Sequence, residues 1–356
     1  MNLDELRERI DHCDQEILRL LNDRARCALE IGEIKRAEQR PFYVPEREKA
    51  VFARLRNLNP GPLPGDAVKA IYREIISAVR ALEKPVDVAY FGGKATFTHM
   101  AAMRLFGVHA EYHSVATVPD VFSEVERKRV DYGVVPVETA MGGGVSDTLD
   151  RFVTSDLKIV NEVMMRIRQN LLSNSPMEEI TRIYSKIQGF LQCRTWLKAN
   201  FPNAELVETS STAEAARVAA DEAGAGAIAS ELAAEMYDIK LVVRGVEDAA
   251  NNFTRFFVIG DQMAKPTGQD KTSVLCAIND KPGALYELLG PMHHKGINLT
   301  RIESRPSQRK AWEYVFFIDM LGHIEDDHVR SALDEVAAMC KELKVLGSYP
   351  HGELEE

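Results

Sequence analysis

Between Leu3 and Arg36 the apolar residues Leu6, Ile10, Ile17, Leu20, Leu21, Ala28 and Ile31 recur at helical spacing, with no proline and only Gly32 as a weak point. The run predicts one long helix carrying three basic side chains, Arg7, Arg24 and Lys35. At 1.5 Å of rise per residue, Arg7 stands about 42 Å from Lys35, too far for both to reach one small ligand from one chain. If they share a site, a second chain supplies one of them. Arg24 and Lys35 lie 11 positions apart, a step that returns close to the same helix face. A solvated basic face on an amphipathic helix would account for the charges alone. A second helix, however, opens at Pro45-Glu46-Arg47-Glu48, and a third, Asp66 to Lys84, ends with Ser77, Arg80 and Glu83.

This three-helix layout, over residues 1–85, resembles the all-helical chorismate mutases. The resemblance implies a homodimer with helix exchange, in which Arg7 is donated by the partner subunit. Arg24 and Arg47 would clamp the two substrate carboxylates, Lys35 and Glu83 would serve the ether oxygen, and Glu48 would hold the substrate hydroxyl. Such a pericyclic rearrangement needs no nucleophile, metal or cofactor. It needs a fixed conformer and stabilisation of the charge growing on the breaking C–O oxygen. Arginine forks suit carboxylates and a cation suits that oxygen. Two departures stand out: Val44 where many relatives place aspartate before the second helix, and Glu83 where the best-known relatives carry glutamine. A carboxylate cannot donate a hydrogen bond, so Glu83 would act only when protonated.

The length of 356 residues and 45% hydrophobic content allow two to three ordinary domains. No run long enough to span a membrane and no basic-then-apolar leader is seen, so a cytoplasmic location without membrane association is expected. The five cysteines, Cys13, Cys27, Cys193, Cys276 and Cys340, are scattered without metal-ligand spacing and read as reduced packing residues. A net charge of −10 argues against nucleic acid as a partner, so anionic substrates require local basic pockets.

Composition shifts at Glu83-Lys84-Pro85 and at Lys265-Pro266-Thr267-Gly268-Gln269-Asp270 divide the chain into units of 1–85, 86–265 and 271–352. In the middle unit strands and helices alternate, from Val86 to Phe91 and Thr98 onward to Gly226 to Ala229 and Glu231 to Tyr237. This predicts a largely parallel α/β sheet with ligand sites at the strand ends. Three segments fall at such ends: Gly92 to Thr98, Glu138 to Gly144, and Asn252 to Phe256. With Tyr184-Ser185, Gln188, Thr148-Leu149-Asp150 and Gln192-Cys193-Arg194, they resemble prephenate dehydratase. The resemblance implies two periplasmic-binding-protein-like lobes with a site between them. Thr254 would assist departure of the ring hydroxyl. Thr96, Phe97, Thr98, Glu138, Ser185, Arg255 and Phe256 would bind substrate. Relatives usually read Gly-Pro-Glu-Gly-Thr-Phe-Ser and Glu-Asn-Ser at the first two segments, and Tyr-Ser-His near Tyr184. This chain has Gly93, Lys94 and Ala95, then Thr139 and Ala140, and Lys186.

The last unit reads as strand, helix, two strands, helix, strand, a ferredoxin-like order, with one strand placed at Ala311 to Met320 and the second helix at Asp326 to Leu343. Through Gly283-Ala284-Leu285 and Glu303-Ser304-Arg305-Pro306 it resembles an ACT regulatory module. This implies that Gly283, Ala284, Leu285, Asn298, Glu303, Ser304 and Arg305 receive an amino-acid effector, phenylalanine. Trp196 and Trp312 read as packing residues, and Lys341 and Lys344 as solvated ones. The fold class expected is therefore multidomain: all-α helices, a two-lobed α/β domain and an α+β ferredoxin-like domain. The whole resembles the bifunctional chorismate mutase/prephenate dehydratases of phenylalanine biosynthesis, with chorismate and prephenate as substrates. The alternative is a mutase whose middle domain decarboxylates prephenate without aromatising it, or only senses and assembles.

Overall fold

The computed structural model describes residues 2–140, 142–249, 251–279, 281–306, 314–352 and 354–355. The chain forms two compact units, Met1–Asp87 with Phe106–Glu111, and Val88–Leu105 with Tyr112–Glu356.

The first unit is built on α1 (Leu3–Ala37), α2 (Pro45–Leu58) and α3 (Gly65–Glu83). A capping box opens α1: Asn2 Oδ1 accepts the Glu5 amide at 2.8 Å and the Glu5 carboxylate accepts the Asn2 amide at 3.0 Å. Val44 offers α2 no side-chain cap, and Pro45, with its fixed φ, starts the helix instead. Gly32, the weak point of α1, has a reason: a Cβ there would stand 3.1 Å from Glu83 Cγ, so glycine lets α3 bring Glu83 close. The amino-terminal half of α1 leaves Leu3, Leu6, Ile10, Ile17, Leu18 and Leu20 exposed, an apolar stripe without cover in this chain.

The second unit holds three sheets. The largest reads, across its width, Leu354–Glu355, Lys158–Arg166, Phe253–Gly260, Tyr132–Thr139, Asp87–Phe91 and Glu111–Val115, with Gly143–Gly144 paired beside Tyr132–Thr139. The expectation of a largely parallel sheet is corrected here. Phe253–Gly260 runs antiparallel to both neighbours. Its apolar run Phe256-Phe257-Val258-Ile259 shows that both faces are buried, but such a run carries no direction. The second lobe is a five-stranded sheet in the order Leu241–Val243, Asn170–Leu172, Ala225–Ala229, Arg182–Ser185, Glu205–Glu208. The helix expected over Gln188 to Asn200 is two, Ile187–Gln192 and Arg194–Asn200, broken at Cys193.

The third sheet, Leu299–Pro306, Tyr314–Leu321, Asp270–Ala277 and Glu342–Pro350, carries helices Ala284–His294 and Asp327–Met339 in the expected ferredoxin-like order. Ala311 and Trp312, Met141 in the second cleft segment and Asp280 in the turn before Gly283 lie outside the described residues. The last helix stops at Met339, so Leu343 and Lys344 belong to the final strand. Lys344 is a tie, not a solvated residue: its ammonium donates to the Phe152 carbonyl at 3.1 Å. One face of this sheet shares a core with the large sheet, Leu275, Phe317, Leu346 and Tyr349 packing with Val135, Phe152 and Phe257. At Gly347 a Cβ would come within 2.3 Å of the Ile159 carbonyl oxygen, so only glycine permits this approach of strands. The five cysteines form no disulfide. Among the described residues no helix is long and apolar enough to cross a membrane.

Candidate active sites

In the helical unit a cavity of about 380 Å³ is lined by Arg24, Lys35, Arg47, Glu48, Arg54, Arg80 and Glu83, with Ile31, Val51, Ile76 and Val79 as apolar wall. Spacing on α1 brings Arg24 and Lys35 to one face, and Arg47 and Glu48 enter from the first turn of α2. The Lys35 ammonium donates to the Phe42 carbonyl at 3.2 Å and faces the Glu83 carboxylate at 3.5 Å. Glu48 pairs with Arg80, and the Arg80 guanidinium also donates to the Phe106 carbonyl at 2.7 Å and lies 5.2 Å over the Tyr43 ring. Burial drives the Glu48 pKa above the ordinary carboxylate value, and the nearby Arg80 opposes it without cancelling it. The sequence carries no signal for this role of Arg80, because nothing in its spacing distinguishes an anchor for Glu48 from a core arginine. Arg7 is not in this cavity. It is exposed, on the uncovered half of α1, 3.4 Å from Asp4.

In the second unit a cleft of about 850 Å³ lies between the two lobes. Three predicted segments reach it: Gly92, Gly93, Lys94, Thr96, Phe97 and Thr98; Thr139 and Gly142; Thr254 and Phe256. Lys186, Gln188 and Gln192 close the opposite wall. Ser114, Gln169, Ser210, Ser211, Thr212 and Tyr237 also line it and were not found from sequence, since isolated hydroxyl and amide residues carry no spacing signal. An amide chain leads inward from the lining residues Gln169 and Gln192: Gln169 donates to Gln192 at 2.9 Å, and Gln192 to Asn252 at 3.3 Å. Ala95, at the family's glycine position, has φ of 62°, a left-handed conformation that costs a side-chain-bearing residue about 1–2 kcal/mol. Its amide donates to His99 Nδ1 at 3.2 Å and its carbonyl accepts from Ser230 Oγ at 2.9 Å, which holds it there. Burial, helped by Lys94, lowers the His99 pKa, and an accepting Nδ1 fits the neutral ring.

Three expected substrate contacts turn away from the cleft. Ser185 is fully buried and donates to the Ile228 carbonyl at 2.9 Å; a Cβ on Gly189 would stand 2.3 Å from its oxygen, so it builds the wall. Glu138 points behind the sheet, 3.7 Å from both Arg255 and Arg301. Arg255 alternates with Thr254 and Phe256 on its strand, so its side chain leaves the cleft face, Nε meeting Glu162 at 2.6 Å and Nη1 meeting Asp319 at 2.5 Å. Burial alone would raise the Asp319 pKa, but the Arg255 guanidinium outweighs it and, with the Ser273 hydroxyl, holds the carboxyl below its ordinary value. A depressed folded pKa gives stability that is present above the unfolded value, about 3.9, and lost as pH falls through the folded one. Asp319→Asn is therefore expected to flatten part of the acid limb below about pH 4 when urea midpoints are followed against pH. An acid limb identical to that of the unsubstituted protein would contradict this.

In the third domain Gly283 has φ of 81° and precedes the first turn of helix Ala284–His294, where glycine carries no steric cost. Asn298 sits immediately before the strand Leu299–Pro306. On that strand Ser304 shares a face with Ile302, opposite Ile318 of the helix-side core. Glu303 and Arg305 face the other way, as strand alternation requires. Glu303 pairs with Arg301 and packs on Gly144, while Arg305 donates to Ser146 at 2.8 Å and Asp150 at 3.0 Å. These two expected effector contacts instead fasten the module to the loop and helix beside the cleft.

Comparison with known sequences agrees with this layout. The profile of type II chorismate mutases matches residues 6–84, that of prephenate dehydratase residues 88–264 and that of the ACT domain residues 272–338. A bifunctional chorismate mutase/prephenate dehydratase of Aquifex aeolicus is 50% identical over 359 residues, covering 99% of each chain. The chain belongs to this family. The bifunctional chorismate mutase/prephenate dehydratase of Pseudomonas aeruginosa is 44% identical over 97% of this chain and 96% of its own. Among solved structures, the prephenate dehydratase of Arthrobacter aurescens in complex with L-Phe superposes with a TM-score of 0.70 at 32% identity, covering 74% of this chain and 90% of that one.

Proposed function

We propose that the chain carries out two consecutive reactions, chorismate to prephenate in the helical cavity and prephenate to phenylpyruvate in the cleft, under inhibition by phenylalanine bound to the third domain. The observation that carries this reading is the convergence of Arg24, Lys35, Arg47, Glu48 and Glu83 on one cavity of the helical unit, and, in the second unit, a cleft that unites Thr254 with the Thr96-Phe97-Thr98 turn. In the first site two arginines hold the carboxylates in the reactive conformer. Lys35 and Glu83 face the ether oxygen as its bond breaks, and Glu48 holds the ring hydroxyl. Arg7 completes the site from a second chain. A homodimer that covers the exposed stripe of α1 and exchanges this helix supplies it.

In the cleft, the C–C bond to the ring carboxylate breaks as carbon dioxide leaves. Its electron pair enters the ring, and the C4–O bond breaks with its pair on oxygen, so the group departs as hydroxide and takes a proton from solvent to become water. Thr254 donates a hydrogen bond to that oxygen; its pKa is far too high for it to give up a proton outright. Lys94 and Lys186 bring positive charge to a cleft whose substrate is a dianion. A cytoplasmic location suits a biosynthetic enzyme with five unpaired cysteines.

Purified protein given chorismate is expected to release prephenate and then phenylpyruvate, with phenylalanine slowing the second step. Prephenate that accumulates without further conversion would overturn the bifunctional reading. Glu83→Ala is expected to lower mutase kcat/KM, whereas Glu83→Gln, whose amide can donate a hydrogen bond, should retain it. Equal kcat/KM for Glu83→Ala and the unsubstituted protein would remove Glu83 from this role.

A further inference from the structure

Behind the cleft, Arg255 is held in a buried cluster to which two domains contribute. Glu162 belongs to the dehydratase sheet, whereas Lys271, Ser273, Asp319 and Tyr349 belong to the third domain, and all are nearly inaccessible. Asp319 accepts from Ser273 Oγ at 2.5 Å as well as from Arg255, and the Arg255 Nη2 donates to the Tyr349 hydroxyl at 3.1 Å. Glu162 meets Lys271 at 3.0 Å and accepts the Gly352 amide at 2.9 Å. Two cations thus face two carboxylates, with Glu138 and Arg301 adjoining.

The strand needs this hold at one place. Thr254 pairs with Thr139 and Arg255 with Glu138, but Phe256 pairs with Pro136, so the register slips past Val137 beside a residue that has no amide to give. The ladder next to Thr254 is irregular on this side. The ladder to Lys158–Arg166 stays regular here, and a planar guanidinium fixed in three directions supplies a second tie on the edge where the register slips. We propose that Asp319 is a positioning residue for the dehydratase reaction, acting through Arg255 on the strand position from which Thr254 faces the cleft. The inference rests on prephenate dehydration in the cleft with Thr254 at the leaving hydroxyl.

The test uses the full chain with Asp319→Asn, Tyr349→Phe, Thr254→Ala and the Asp319→Asn/Thr254→Ala pair. Dehydratase and mutase kinetics are read together with hydrogen exchange over peptides spanning residues 253–257. Asp319→Asn is expected to lower dehydratase kcat roughly 10- to 100-fold, with KM within about twofold and mutase kcat unchanged. Amide exchange at residues 254–256 should quicken, and the pair should be no slower than Thr254→Ala alone. Tyr349→Phe removes only a hydroxyl and should move kcat and exchange in the same direction by less. It decides the matter if Asp319→Asn does not fold. Unchanged kcat and exchange in the folded variants, or a pair whose losses multiply in full, would overturn the proposal. If the unsubstituted protein leaves prephenate intact, the functional reading fails, and the exchange comparison by itself still upholds or overturns the positioning.

Discussion

Thr254→Ala is expected to lower phenylpyruvate formation about 100- to 1,000-fold, the usual cost of removing one preorganised donor to a developing oxyanion, while the mutase reaction proceeds at its ordinary rate. Thr254 is 8% exposed and lines the cleft with Phe256, on a strand whose neighbouring arginine is locked behind the sheet. Its hydroxyl is therefore aimed by the framework, and little reorganisation is needed when the C4–O bond begins to break. Thr254→Ser keeps the donor and should retain most activity. Equal rates for the alanine variant and the unsubstituted protein would place the donor elsewhere among the cleft hydroxyls.

The second large effect concerns Arg7, which the proposed dimer would bring to the helical cavity. Arg7→Ala and Arg24→Ala should each reduce mutase kcat/KM by more than about 100-fold, since each removes a charge-assisted contact to a dianionic substrate. Mixed after unfolding and refolding together, the two inactive variants should regain about a quarter of full activity, because random pairing makes half the dimers mixed and each mixed dimer has one intact site. Arg7 is exposed and far along α1 from Lys35, and the stripe of Leu6, Ile10 and Ile17 beside it lacks cover in the single chain. No recovery on mixing, with Arg7→Ala fully active alone, would end the shared-site account.

In the helical unit a helix converts spacing directly into direction: Arg24 and Lys35 meet at one cavity wall as their 11-residue step implies, while Arg7 lies outside the cavity. Arg80 escaped because its function depends on where Glu48 arrives from another helix. In the sheet regions the same reasoning located segments but misjudged side-chain directions. Thr254 and Arg255 are adjacent in a family signature, yet strand parity sends one into the cleft and the other behind it. Glu138 follows Arg255 because the two are paired across the ladder. Glu303 and Arg305 likewise obey parity, and only the packing of the third domain on the large sheet reveals what they touch. The antiparallel course of Phe253–Gly260 was invisible for a related reason: an apolar run records burial and not direction.

The most direct test of two chemistries in one chain is to give the purified protein prephenate alone and identify the product by mass and ultraviolet spectrum. Phenylpyruvate, formed faster than prephenate decays in buffer and suppressed by phenylalanine, is the expected result. Prephenate recovered unchanged beside an active mutase, or a non-aromatic product that keeps its hydroxyl, would contradict it.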